Sequence, residues 1–290
     1  MARKIDFLII GTPKSGTTAL NDYLSQHPDI YLPKRKDDGM FVTCLPEEQP
    51  EAFWQWYRDI RHETVIGGAE VNLMYFPFTA ARVYHYNPQI RLIAILRNPI
   101  ERAYSAYWYY LRLGWETSAT FEEALEREPE RRLGSLHDSA ALTYLEHGRY
   151  YEQLLRYLEY FPQSHFCIIL SEDLKHATKQ TLGKITTWLG VDQERGTIGL
   201  SLRSNESGAP RLRTLSQIIG SRNTWYSGMA RKFTSRRFRQ AVSDMLIQLN
   251  TKPFEYPHMR PETRTRLAGY FAPHNEKLAN LIERDLSHWK

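Results

Sequence analysis

Apolar residues in this chain fall into two spacings. Four short runs, 7–10, 64–67, 92–96 and 166–170, are mostly unbroken apolar segments, the pattern of strands covered on both faces, as in a parallel sheet. Between them the apolar positions recur at helical intervals. One such stretch, 18–26, stops at His27-Pro28, a second, 78–86, at Asn87-Pro88, and a third, 100–113, at Gly114, while 142–161 and 180–189 flank the fourth run. Proline and glycine just past a periodic segment are helix-stop signals. Strand alternating with helix predicts an α/β, doubly wound fold: a central parallel β-sheet flanked by helices, joined by right-handed crossovers. Ligands of such sheets bind beyond the carboxyl ends of the strands. After about residue 200 the strand signal disappears and helices joined by polar loops are expected, a helical C-terminal extension closing over the same site within a single domain, 1–290.

Composition narrows the class without naming a function. With 290 residues, 42% of them hydrophobic, the chain can bury a substantial core. No apolar run approaches the ~20 residues of a membrane span, and Met1-Ala-Arg-Lys-Ile-Asp lacks the apolar stretch of a signal peptide. No membrane span and a cytoplasmic location are therefore expected. Cys44 and Cys167 lie far apart, the second inside a strand-like run, which reads as two reduced packing residues and no disulfide. The net charge of +5 favours an anionic partner, but nothing indicates nucleic acid. Arg231-Lys-Phe-Thr-Ser-Arg-Arg-Phe-Arg239 has helical spacing and two aromatics; it reads first as a solvated helix face and second as a surface tracking a polyanion.

Two strand ends carry the chemistry. Phe7-Leu-Ile-Ile-Gly-Thr-Pro-Lys-Ser-Gly-Thr-Thr-Ala-Leu20 runs from a strand through a compact loop into a helix start. Backbone amides of Ser15, Gly16, Thr17 and Thr18 can face an anion there, with the helix dipole behind them and the Lys14 ammonium beside them. The spacing, Gly11-x-x-Lys14-Ser15-Gly16-Thr17-Thr18, differs from the Gly-x4-Gly-Lys-Ser/Thr of an ATP-binding loop. The second strand end, Leu92-Ile-Ala-Ile-Leu-Arg97-Asn-Pro-Ile-Glu-Arg102-Ala-Tyr-Ser105, sets a guanidinium where the strand stops and a hydroxyl eight residues on. A P-loop ATPase would be expected to supply an Asp for Mg²⁺ from such a strand. Arg97 instead implies a nucleotide with an additional phosphate and no metal.

These residues resemble the sulfotransferases that use 3′-phosphoadenosine 5′-phosphosulfate (PAPS). Pro13-Lys-Ser-Gly-Thr-Thr-Ala-Leu20 is similar to that family's 5′-phosphosulfate loop, and Arg97 with Ser105 to its 3′-phosphate pair. His27-Pro-Asp-Ile-Tyr-Leu-Pro33, Gly148-Arg-Tyr-Tyr-Glu-Gln-Leu154, Ser171-Glu-Asp-Leu174 and Phe271-Ala-Pro-His-Asn-Glu-Lys-Leu278 extend the likeness to the bacterial and heparan-sulfate-type branch. The resemblance implies a P-loop-type sheet and in-line transfer of a sulfuryl group from PAPS to an acceptor hydroxyl, or secondarily an amine, of a small molecule, lipid or glycan. Adenosine 3′,5′-bisphosphate would be released. Lys14, Thr17, Thr18 and the loop amides would stabilise the leaving oxygen, and preorganised donors of this kind contribute ~10²–10³ in rate each.

Heparan-type relatives carry a general base, Glu or Asp, after a Lys just past the first helix. In Lys34-Arg-Lys-Asp-Asp-Gly-Met-Phe41 the match is Asp37, with Asp38 as a neighbouring candidate and solvent-facing acids as the plain alternative for both. Gly39 stands where a His is often found. In Glu70-Val-Asn-Leu-Met-Tyr75, Val71 occupies a position where relatives often carry Lys, which favours a less charged acceptor than a heparan. Ser204-Asn-Glu-Ser-Gly-Ala-Pro-Arg211-Leu-Arg213 is similar to the family's loop over the nucleotide, so Arg211 and Arg213 are candidates for the 3′-phosphate. His27 and His274 are expected to be structural, His147 is given no proton to carry, and the aromatics of Trp54-Gln-Trp-Tyr57 and of 104–110 read as core packing first, a substrate wall second. Two alternatives stand beside the transferase: a P-loop kinase dependent on Mg²⁺, and a non-catalytic module binding adenosine 3′,5′-bisphosphate or a polyanion.

Overall fold

The structure, a computed structural model, describes residues 3–34, 36–37, 39–196, 208–210, 242, 245–247, 249–253 and 256–290. Its centre is a five-stranded sheet in the order β2-β3-β1-β4-β5, every pairing parallel. The strands are β1 Phe7–Gly11, β2 Ile30–Tyr31, β3 Val65–Ala69, β4 Arg91–Leu96 and β5 Phe166–Leu170. Four of them are the apolar runs of the sequence, shifted by a residue or two. The fifth, β2, has only two residues and no periodicity to display. Helices are α1 Thr17–Leu24, α2 Pro50–Trp54, α3 Thr79–Tyr86, α4 Pro99–Arg112, α5 Phe121–Glu126, α6 Glu128–Arg132, α7 Leu136–Ala141, α8 Tyr150–Leu158, α9 Ser171–His176, α10 Thr178–Leu189 and α11 Pro261–Ile282.

The unbroken apolar runs have a direct cause. Alternate residues of each strand enter two different cores: Leu8, Ile10, Leu92, Ala94 and Leu96 pack with Tyr150, Leu154 and Tyr157, while Phe7, Ile9, Ile93 and Ile95 pack with Leu20 and Leu24 of α1 and Leu182, Ile185 and Leu189 of α10. A strand with both faces covered leaves no position for a polar residue. Phe53 and Tyr57 are buried in the first core, with Trp54 and Trp56 packed against it, so this aromatic group is core.

The chain divides into two compact units, one of Met1–Arg102, His147–Ser204 and Gly269–Lys290, the other of Ala103–Glu146 and Asn205–Ala268. The first holds the sheet. The second is built around a buried ion pair: Arg131 donates to Glu116 at 2.6 and 2.8 Å, and Glu116 also accepts from Tyr144 Oη at 2.6 Å and from the amides of Thr117 and Ser118. Within this unit β6 Gly208–Pro210 and β7 Thr251–Pro253 pair antiparallel. That corrects the expectation of helices alone after about residue 200, since three-residue strands leave no readable alternation; the C-terminal helix itself is present as α11.

One helix boundary differs from expectation for a clear reason. The periodic stretch 142–161 becomes α-helical only at Tyr150, after a 3₁₀ turn at Glu146–Gly148. The buried Glu128 carboxylate accepts the amides of Tyr144, Leu145 and Glu146 at 2.8–2.9 Å, so those amides are engaged outside any helical ladder.

Candidate active site

The order of strands selects the site before any side chain is considered. From β1 the chain goes to β3 on one side and then back to β4 on the other. The reversal opens a crevice between the carboxyl ends of β1 and β4, where open α/β sheets bind ligands. The loop after β1 carries Lys14 and the loop after β4 carries Arg97.

The first loop is tightly held. Thr12 N–H donates to Ile95 O at 2.9 Å, Ser15 N–H to Thr12 O at 3.3 Å, and the Thr12 and Ser15 hydroxyls lie 2.6 Å apart, both buried. Lys14 sits at φ +68°, a left-handed conformation that a side-chain-bearing residue keeps only where its surroundings hold it. Gly16, at φ +105°, is the N-cap of α1 and gives it no side-chain cap. A Cβ there would be strained and would stand 3.4 Å from Ile95 Cδ1. The first-turn amides of α1 are thus left to face a ligand, with Gly16 itself exposed, Thr18 half-buried and Thr17 buried.

Arg97 joins this loop. Its guanidinium donates to Lys14 O at 3.0 Å, and its own carbonyl accepts from Tyr150 Oη at 2.9 Å. The structure therefore brings Lys14, Ser15, Gly16, Thr17, Thr18 and Arg97 together. Ser105 is half-buried on α4, in the part of that helix belonging to the second unit. Arg211, Arg213 and the rest of 204–207 and 211–213, the basic run 231–239, and Asp38 lie outside the described residues.

Asp37 is fixed at the exit of β3, next to β1 in the sheet. Its amide donates to Ala69 O at 2.9 Å, its Oδ1 accepts from Val71 N–H at 2.9 Å, and its Oδ2 is 2.6 Å from Lys36 Nζ. Two residues on, Gly39 N–H donates to Oε2 of the buried Glu70 at 2.9 Å. The loop bearing Asp37 is therefore anchored to β3 at two points. Val71 is 8% exposed, so the position holds an apolar group turned into the core.

The remaining candidates take structural roles. His27 Nδ1 accepts from Asp29 N–H at 3.1 Å and its Nε2 donates to Asp192 O at 2.9 Å, closing the turn after α1. His274 pairs with Glu152 at 2.7 Å, and buried His147 stacks on Tyr75 at 4.0 Å. Both cysteines are free; burial pushes the Cys167 thiol up to about 11. Three contributors were not singled out from sequence: Thr12, Glu70 and Tyr150. For Tyr150 the available signal was Gly148, whose added Cβ would meet Phe271 Cε1 at 2.7 Å and Pro99 Cβ at 2.8 Å. That close approach brings the start of α8 to the end of β4.

The loop after β1 and the strand-end arginine after β4 thus meet at the switch point of a parallel sheet in an α/β protein. Residues 4–206 match the sulfotransferase domain family, and the chain belongs to that family. It is 29% identical over 192 residues to human heparan sulfate glucosamine 3-O-sulfotransferase 6, the match covering 63% of this chain and 52% of the relative. To the human bifunctional heparan sulfate N-deacetylase/N-sulfotransferase 3 it is 26% identical over 293 residues, covering 96% of this chain and 30% of the relative. The chain thus spans about half or less of the length of these curated relatives. A crystal structure of a sulfotransferase from Alicyclobacillus acidocaldarius is similar over 99% of both chains, with a TM-score of 0.71 and 27% identity.

Proposed function

We propose that this chain, acting as one module over 1–290, transfers the sulfuryl group of PAPS to an acceptor hydroxyl, or secondarily an amine, of a small molecule, lipid or glycan, releasing adenosine 3′,5′-bisphosphate. The observation that carries this reading is the Arg97 guanidinium 3.0 Å from the Lys14 carbonyl. It puts a fixed cation beside the phosphate loop, at the strand end where a metal-dependent P-loop enzyme needs a carboxylate. No metal is required, because the sulfuryl group carries less negative charge than a phosphoryl. Lys14 and the amides of Ser15, Gly16, Thr17 and Thr18 serve the leaving 5′-phosphate oxygen. By the family resemblance, Arg97 and Ser105 take the 3′-phosphate, with Arg211 and Arg213 as further candidates for it.

In the transfer, the bond from sulfur to the 5′-phosphate oxygen breaks as the bond from sulfur to the acceptor oxygen forms. The acceptor's proton goes to Asp37, on the oxygen that the Val71 amide does not hold. The names of the relatives, a 3-O- and an N-sulfotransferase of heparan sulfate, support a glycan acceptor; Val71 supports one less anionic than a heparan.

Thermal shift tests the reading. Adenosine 3′,5′-bisphosphate should stabilise the protein and Mg-ATP should not, and Lys14→Ala or Arg97→Ala should abolish the shift. A shift with Mg-ATP alone would establish the kinase alternative. Stabilisation by the bisphosphate with no sulfuryl transfer to phenols, lipid alcohols or glycosaminoglycans would leave the non-catalytic module.

A further inference from the structure

We infer that Tyr150 is a positioning residue for the donor site, its buried phenol holding the Arg97 carbonyl at the head of a hydrogen-bonded chain that fixes Arg97 relative to Lys14. The inference rests on reading the β1 and β4 loops as the donor nucleotide site. The chain of contacts runs from Tyr150 Oη to the Arg97 carbonyl at 2.9 Å, and from the Arg97 guanidinium to the Lys14 carbonyl at 3.0 Å. Beside Lys14, the Ser15 hydroxyl is 2.6 Å from that of Thr12, which donates to Ile95 O of β4 at 3.4 Å. The exit of β4 is thereby held by a side chain of α8, and through Arg97 the loop after β1 is held with it.

The phenol is suited to this role. Tyr150 is 1% exposed, and burial pushes its ionisation up against the opposing pull of Arg102 and Arg97, so it stays a proton donor. The ring cannot swing away. It lies in the first core, and Trp289 meets it edge-on at 6.2 Å while the Trp289 indole N–H is held by Glu172 at 2.9 Å. Removing the phenolic oxygen alone should therefore leave the fold in place and free the two cationic loops to move relative to one another.

A ligand that engages only one loop will not sense that freedom, whereas one bridging both will. Dissociation constants for adenosine 3′,5′-bisphosphate and adenosine 5′-phosphate, measured by calorimetry on wild type and Tyr150→Phe, separate these cases. Tyr150→Phe should weaken the bisphosphate ~tenfold, on the scale of one buried hydrogen bond, and the monophosphate less than ~threefold, with the melting temperature close to wild type. Equal weakening of both ligands, or no weakening of either, would overturn the positioning role. Failure of the wild-type protein to bind the bisphosphate would overturn the donor-site reading itself.

Discussion

Replacing Asp37 by Asn separates chemistry from scaffold, because the structure makes the two losses very different in size. Asn keeps the side-chain oxygen that accepts the Val71 amide at 2.9 Å. It also tolerates the left-handed backbone at φ +57°, which Ala would not, better than most residues other than Gly. What it loses structurally is the contact with Lys36 at 2.6 Å, between side chains 22% and 33% exposed. Partly exposed pairs of this kind contribute about 0.2–1 kcal/mol. What it loses chemically is the base, and general base catalysis contributes ~10²–10⁴ in rate, about 2.7–5.5 kcal/mol of barrier. Asp37→Asn should therefore bind adenosine 3′,5′-bisphosphate within about twofold of wild type while transferring ³⁵S-labelled sulfuryl from PAPS at least ~100-fold more slowly. Lys36→Met, which removes the ion pair and leaves the carboxylate, should slow transfer by less than about fivefold. If the Asn variant keeps more than about a tenth of wild-type turnover, the proton goes elsewhere and the assignment is refuted. A parallel loss of nucleotide affinity would show instead that Asp37 only braces the loop.

Two further outcomes concern stability. Gly148→Ala forces a methyl to 2.7 Å from Phe271 and 2.8 Å from Pro99; overpacking of this kind costs about 1–3 kcal/mol, and a urea midpoint unchanged from wild type would contradict the close approach. The hydrogen bonds of Arg284 to Asp173, at 2.9 Å each, hold that carboxyl below its ordinary value. This contribution is fully present above the ordinary carboxylate range near pH 4 and is lost as pH falls below it toward the lowered folded value. Melting temperatures from pH 6 to 3 should fall less steeply for Arg284→Met than for wild type, and superimposable slopes would remove Asp173 from the account.

Much of the fold was legible in the sequence, as was the placing of Lys14 and Arg97 at two adjacent strand ends. Strands buried on both faces announce themselves as unbroken apolar runs, and a Gly-Thr-Thr loop that turns a strand into a helix has few structural uses. Arg97 was readable because a cation at a strand end is unexpected there. What escaped were features made by contact. β2 is two residues long, too short for a period. Glu128 delays the start of α8 by capturing three amides sixteen to eighteen residues away, and no local pattern records such a partner. Tyr150 looks in sequence like one more aromatic on an apolar helix face. Its role comes from a carbonyl 53 residues earlier. Glu70, likewise, became visible only once the loop it anchors had been traced.

Helix α1 starts at a glycine that offers no oxygen to its first-turn amides. An ordinary cap of that kind is worth about 1 kcal/mol, so the ligand-free protein carries an unfinished helix. On the function proposed above, a bound anion would complete it, and the same contact that holds the donor would also repair the fold. Substrate occupancy and resistance to unfolding would then be coupled in this protein: where the donor is scarce, the segment that recognises it would also be among the first places the sheet's surroundings loosen.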